Sequence, residues 1–117
     1  MADSLDELRD AIDAFVAERD WAQFHTPKNL AMGVAIEAAE LMEHFLWTVA
    51  AEPAMPDPRK KEEIANEIGD VLIYLVRLGR VLDIDTVAAA RDKLLINRDK
   101  YPVEKAKGTA KKYLDLE

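Results

Sequence analysis

Leu30-Ala31-Met32-Gly33-Val34-Ala35-Ile36-Glu37-Ala38-Ala39-Glu40-Leu41-Met42 reads as a helix that is apolar on nearly every side and still carries two acids. Ile64-Ala65-Asn66-Glu67-Ile68-Gly69-Asp70-Val71-Leu72-Ile73-Tyr74-Leu75-Val76 repeats the pattern. In each stretch the acids are three residues apart, which puts both on one face of a helix. Neither helix has the polar stripe needed to lie half in water. Two such helices predict an all-α protein in which the acids of one face those of the other.

The flanking sequence extends this to an up-down bundle of four helices joined by short connections. Ser4 is a cap for a first helix over about residues 5–19, with Leu5, Leu8, Ile12, Phe15 and Val16 on one face. Asp20 to His25 form an aromatic-rich connector. Thr26-Pro27 reads as the cap and first residue of a second helix expected to reach about Ala51. Glu52 to Pro58 carries three prolines and reads as a loop. A third helix is expected over about Arg59–Leu82. Asp83 or Asp85 caps a fourth, about Thr86–Lys100, which Tyr101-Pro102 ends. Residues 1–117 read as a single domain, with 102–117 as an extended tail.

Composition narrows the function classes. Half of the 117 residues are hydrophobic, which is generous for one modest core and leaves apolar surface to bury against another subunit. There is no Cys, which excludes disulfides, thiolate metal sites and Cys nucleophiles. The acidic start, Met1 to Asp6, lacks the blocks of a signal peptide, and no apolar run reaches membrane-spanning length, so a cytoplasmic protein without membrane partners is expected. A net charge of −7 disfavours nucleic-acid binding. The charge is uneven, however: residues 1–20 carry a net of −5 and residues 91–117 a net of +3. A basic end on an acidic protein is either a solvated surface or a source of phosphate contacts.

A lone Glu-x-x-Glu on a helix is ordinarily a solvated face. Here Ala35, Ile36, Ala38, Ala39 and Leu41 leave Glu37 and Glu40 no water face, and Gly33, Ala38, Ala39 and Gly69 allow the backbones to approach. Clustered anions in an apolar interior need a cation, and carboxylates suit a hard divalent ion. Glu37, Glu40, Glu67 and Asp70 are therefore the expected ligands of Mg²⁺, with Mn²⁺ as the other candidate. Such an ion neutralises phosphate charge and lowers the pKa of water, as phosphoryl transfer requires. Glu37, Glu40 and Glu43 are the candidates for orienting the attacking water. His44 is read as an ordinary helical residue.

Glu37-Ala-Ala-Glu40 followed by Glu67-Ile-Gly-Asp70 resembles the paired motif of the all-α nucleoside triphosphate pyrophosphohydrolases, the MazG-like superfamily. The likeness is strongest to its dCTP pyrophosphatase branch. It is carried also by Glu18-Arg19-Asp20-Trp21-x-Gln23-Phe24-His25-x-Pro27-x-Asn29-Leu30, by Phe45-x-Trp47, by Asp70-Val-Leu-Ile-Tyr74-Leu75, by Ile96-Asn97-Arg98 with Tyr101-Pro102, and by Lys112-Tyr113.

The resemblance implies Mg²⁺-dependent hydrolysis of a (deoxy)nucleoside triphosphate, dCTP-like, to its monophosphate and pyrophosphate, in the manner of nucleotide-pool house-cleaning. It implies a homotetramer in which neighbouring subunits complete each site. It also implies a base pocket from Trp21, Phe24, His25, Asn29, Trp47 and Tyr74, and phosphate or sugar contacts from Lys93, Asn97, Arg98, Lys112 and Tyr113. Stacking of a base between aromatic rings fits Trp21 and Trp47, and three donors near i, i+4 spacing fit the fourth helix. One position departs from the pattern. That branch carries a His nine residues before the Trp, where this chain has Ile12, which can neither donate nor accept a hydrogen bond. Base choice is thus left between cytosine and another base, such as uracil or a modified one. A noncatalytic helical module, its acids holding a structural ion, is the competing class.

Overall fold

The structure, a computed structural model, describes residues 4–48 and 56–117, and every regular element among them is helical. In chain order these are α1 (Leu5–Glu18), a 3₁₀ turn (Ala22–Phe24), α2 (Pro27–Glu43), α3 (Pro58–Val81), α4 (Thr86–Lys100), α5 (Val103–Ala106) and a second 3₁₀ turn (Tyr113–Asp115). The chain divides into two compact units, Met1–Ile84 and Asp85–Glu117. Among the described residues no helix is long and apolar enough to cross a membrane.

Each of the four long helices begins on a side chain that accepts a backbone N–H three residues on. Ser4 accepts from Glu7, Thr26 from Asn29, Asp57 from Lys60 and Asp85 from Ala88, at 2.8–3.2 Å. Each cap satisfies a donor that the helix cannot use internally. Pro27 and Pro58 follow two of the caps as first helical residues, where the missing N–H costs nothing. Pro58 therefore starts α3 rather than belonging to the preceding loop. Asp83 is not a cap. It sits in the left-handed region (φ 56°) just past α3, leaving Asp85 to start α4.

The second helix does not reach Ala51. It stops at Glu43, and residues 44–46 donate three residues back, the tighter pattern of a fraying end. Trp47 then turns left-handed (φ 72°), and the Thr48 hydroxyl and N–H both reach the Phe45 carbonyl. Aromatic and β-branched residues propagate a helix poorly, and a threonine offers the backbone a competing partner. Residues 49–55, which hold most of the expected proline loop, lie outside the described part of the chain.

In the first unit α3 packs on both α2 and α1. Ile12, Val16 and Val76 form a small buried cluster with Leu5 and Leu8 against it, and Leu30 is buried on α2. Full burial of such a side chain stabilises by about 1.5–3 kcal/mol. Ile68, Leu72 and Leu75 on α3, and Met32 and Ile36 on α2, remain exposed. In the second unit α4 leads to α5 and the final 3₁₀ turn, so the expected extended tail contains two short helical segments. The Tyr113 ring meets Tyr101 edge-on at 6.0 Å and lies 4.7 Å below the Lys100 ammonium.

Candidate metal and nucleotide site

The acids come together because α2 and α3 run antiparallel at close range. Gly33 of α2 faces Tyr74 of α3, so closely that a Cβ on Gly33 would collide with the tyrosine ring. One turn onward from Gly33 is Glu37, and one turn back from Tyr74 is Asp70. In that register the absence of one side chain lets the two acidic faces meet.

One carboxylate oxygen each of Glu37, Glu67 and Asp70 lie within 4.8 Å of one another, with Glu37 and Glu67 half-buried and Asp70 exposed. Glu40 is outside that set, with its carboxyl group against that of Glu37. Glu37 Oε2 and Glu67 Oε2 are sealed from solvent and have no hydrogen-bond partner. Ionised carboxylates are acceptors only, so they cannot satisfy one another. Desolvation is the main reason the Glu37 carboxyl is pushed up to about 7, followed by its contacts with Glu40 and Glu67 and the charges of Glu40 and Asp70. Two stranded oxygens beside a third carboxylate fit a divalent cation, since all the donors are hard oxygens and none of the ion pairs among the described residues involves Glu37, Glu67 or Asp70. Glu43 is the exposed last residue of α2, and His44 follows as its half-buried cap.

The expected base-pocket residues divide by what they touch. Tyr74 lies against Gly33 as described. Trp21 meets Phe15 edge-on at 5.6 Å, and the Arg19 guanidinium lies 3.7 Å over the Phe15 ring, so Trp21 is braced on one side while staying exposed. Phe24 is exposed, and Trp47 is 90% exposed. The Asn29 side chain donates to the Phe24 carbonyl at 3.0 Å, closing the connector onto α2. His25 Nδ1 accepts from Arg77 Nε at 3.0 Å, and Arg77 Nη1 is paired with Asp13 at 2.9 Å. Ile12 is 7% exposed and belongs to the core cluster.

Lys93, Asn97 and Arg98 share α4 in the second unit, where Lys112 and Tyr113 also lie. Sequence reasoning passed over Arg77 and Asp13. The signal was present: Arg77 is a charge inside the apolar run Val71 to Leu78, the same irregularity that drew attention to the acids.

The MazG-like family profile matches residues 33–116, well over half of the chain. This chain belongs to the MazG-like family. Among curated proteins, this MazG-like chain is 41% identical over 115 residues to dCTP pyrophosphatase 1 of Rattus norvegicus, covering 97% of the chain and 68% of that protein. Its identity to dCTP pyrophosphatase 1 of Homo sapiens is 39% over 115 residues, with the same coverage. Among solved structures it is similar to a pyrophosphatase from Archaeoglobus fulgidus DSM 4304, at 40% identity and a TM-score of 0.76, covering 87% of this chain and 95% of that one. The all-helical fold agrees with membership of the MazG-like family.

Proposed function

We propose that this MazG-like protein hydrolyses a (deoxy)nucleoside triphosphate, dCTP-like, to the monophosphate and pyrophosphate. The chain is a nucleoside triphosphate pyrophosphohydrolase; its likeness to dCTP pyrophosphatases over 97% of its length supports that class, and the finer substrate choice is our reading. The observation that carries the site is the pair of sealed, partnerless oxygens on Glu37 and Glu67 beside Asp70.

Glu37, Glu40, Glu67 and Asp70 would hold Mg²⁺, or Mn²⁺ in its place. A divalent cation there supplies positive charge against the phosphates and makes water a better nucleophile. The residues do the rest. Glu37, Glu40 and Glu43 are the candidates to orient the attacking water and take its proton. Trp21 and Phe24, with His25 and Asn29 at the start of α2, and Trp47 beyond its far end offer exposed ring faces for the base; the whole length of α2 separates the two groups within one chain. Lys93, Asn97, Arg98, Lys112 and Tyr113 of the second unit are our candidates for phosphate and sugar contacts, a role in which the cations would stabilise a departing pyrophosphate. The exposed row Ile68, Leu72 and Leu75 supports assembly into a homo-oligomer, a tetramer in our reading.

A second substrate is favoured by one observation. Ile12 is packed in the core and offers the base no hydrogen bond, which supports dUTP or a modified nucleotide as alternatives to dCTP. The test is to incubate pure protein with each canonical and modified nucleotide and Mg²⁺ and to identify the products. Pyrophosphate with monophosphate is expected, and stepwise release of single phosphates would contradict the reading.

A further inference from the structure

Four polar side chains tie three elements of the first unit together. Arg77 on α3 donates through Nη1 to Asp13 Oδ1 on α1 at 2.9 Å, and through Nε to His25 Nδ1 on the connector at 3.0 Å. Arg80, one turn closer to the end of α3, reaches Asp13 Oδ2 at 3.0 Å. The Arg77 side chain is only 11% exposed, and Asp13 is 27% exposed. An ion pair from Asp13 to α3 is enough to dock α1. It does not account for the third bond, in which the guanidinium plane, already fixed by Asp13, turns its Nε–H onto an imidazole nitrogen.

That bond constrains the chemistry of His25. An N–H can donate to Nδ1 only where Nδ1 keeps its lone pair, which excludes the imidazolium and the tautomer protonated at Nδ1. The ring is then neutral with its proton on Nε2, so Nε2 is a donor and cannot accept. The Arg77 charge acts in the same direction, and Asp13, whose carboxylate would favour the imidazolium, is taken up by the two arginines. Arg77 and Arg80 come from α3 and Asp13 from α1. Burial first, and the Arg77 charge second, hold His25 below the ordinary imidazole range.

We propose that Arg77 is a positioning residue that fixes His25 as a donor-only imidazole, so that this point of the site accepts a nucleotide atom bearing a lone pair and refuses an N–H. The proposal rests on the reading of His25 as a nucleotide contact. The matching atom is a hydrogen-bond acceptor: a pyrimidine O2, a cytosine-type N3, or a phosphoryl oxygen. A uracil- or thymine-type N3–H would meet Nε2–H donor to donor and leave both unsatisfied, so dUTP fits this point only through its O2 or a phosphoryl oxygen.

The test combines ring NMR with kinetics on the full chain. The protein has two histidines, so His44→Gln identifies the His25 signals. In ligand-free wild type, His25 is expected to carry its proton on Nε2 and to titrate below free histidine. Arg77→Lys keeps a cation for Asp13 but has no Nε–H at that position. It should yield a tautomer mixture, a higher His25 pKa and a KM raised about tenfold with kcat changed little, as expected for loss of one well-placed hydrogen bond. Arg80→Gln loosens the same α1–α3 tie without touching His25, and should leave the tautomer and KM as in wild type.

Comparison of the four dNTPs locates the acceptor. An equal rise in KM for all of them assigns it to phosphate, and an unequal rise assigns it to the base. A wild-type His25 protonated on Nδ1, or titrating as a free imidazole, overturns the proposal. So does Arg80→Gln raising KM as much as Arg77→Lys. A wild-type chain that releases no pyrophosphate from any nucleotide overturns the pyrophosphohydrolase reading itself, a result distinct from an active chain with an unlocked His25.

Discussion

The ring of Tyr74 occupies the space that a side chain on Gly33 would need. This contact sets how near α2 comes to α3, one turn from the acids on each helix. Gly33→Ala gains helix propensity worth roughly 0.5–1 kcal/mol but forces the ring aside at a cost of about 1–3 kcal/mol. A net loss of stability is expected, with a lowered thermal midpoint. The same substitution should weaken divalent-ion binding, because it spreads Glu37 from Asp70. Calorimetry with and without Mg²⁺ reads both effects.

The raised Glu37 carboxyl gives the metal-free protein an unusual pH dependence. Its folded pKa of about 7 lies above the ordinary 4.5, so between those values the folded state binds more protons than the unfolded one. The contribution of this group to stability is therefore present at low pH and is lost as pH rises towards and through 7. Metal-free protein should melt lower at pH 8 than at pH 5.5 on account of this group, and Glu37→Gln should flatten that slope. A wild-type curve that rises over this interval and is unchanged by Glu37→Gln would refute the assignment.

Divalent ions should reverse the effect. At pH 8, Mg²⁺ or Mn²⁺ at a hundred times its dissociation constant should stabilise the folded chain by about 2.7 kcal/mol. Asp70→Asn removes one of the three converging carboxylates and should weaken ion binding by at least roughly 10–100-fold, with turnover falling alongside. Circular dichroism should show the helical content retained. Chelator-treated protein titrated with Mg²⁺ checks the affinity without requiring turnover.

Trp47 separates packing from binding cleanly, because it is 90% exposed and holds no core contact to lose. Trp47→Ala should leave the thermal midpoint within a degree or two. It should raise KM by the equivalent of about 1–3 kcal/mol if the ring stacks on the base. An unchanged KM with every nucleotide would remove Trp47 from the pocket.

Much of this was legible because it is written locally. Ser4 and Thr26 were readable as caps and Asp85 as one of two candidates, because each acts on a residue three positions on, whereas Asp57 was taken for part of the loop before α3. Glu37, Glu40, Glu67 and Asp70 stood out because a charge in an apolar run needs a reason. The end of α2 was not legible: no Gly or Pro marks Glu43, and the stop depends on Trp47 and Thr48 adopting a turn. The bond from the Asn29 amide to the Phe24 carbonyl was not legible either, since nothing in the spacing marks it. The Arg77 contacts to His25 and Asp13 span 52 and 64 residues, so no periodicity encodes them, and only the folded register brings them into range.

Because every long helix carries its own starting signal, the order of assembly is constrained as well. A first turn that closes on its own cap reduces the nucleation penalty before any partner helix has arrived. Isolated peptides covering Ser4–Glu18 and Asp57–Val81 should then show measurable helix at their amino ends when the docked protein is absent. The slow event in refolding would be the meeting of α2 and α3, where mutually repelling anions must be driven together. Divalent salt should accelerate that phase, and monovalent salt at equal ionic strength should accelerate it less.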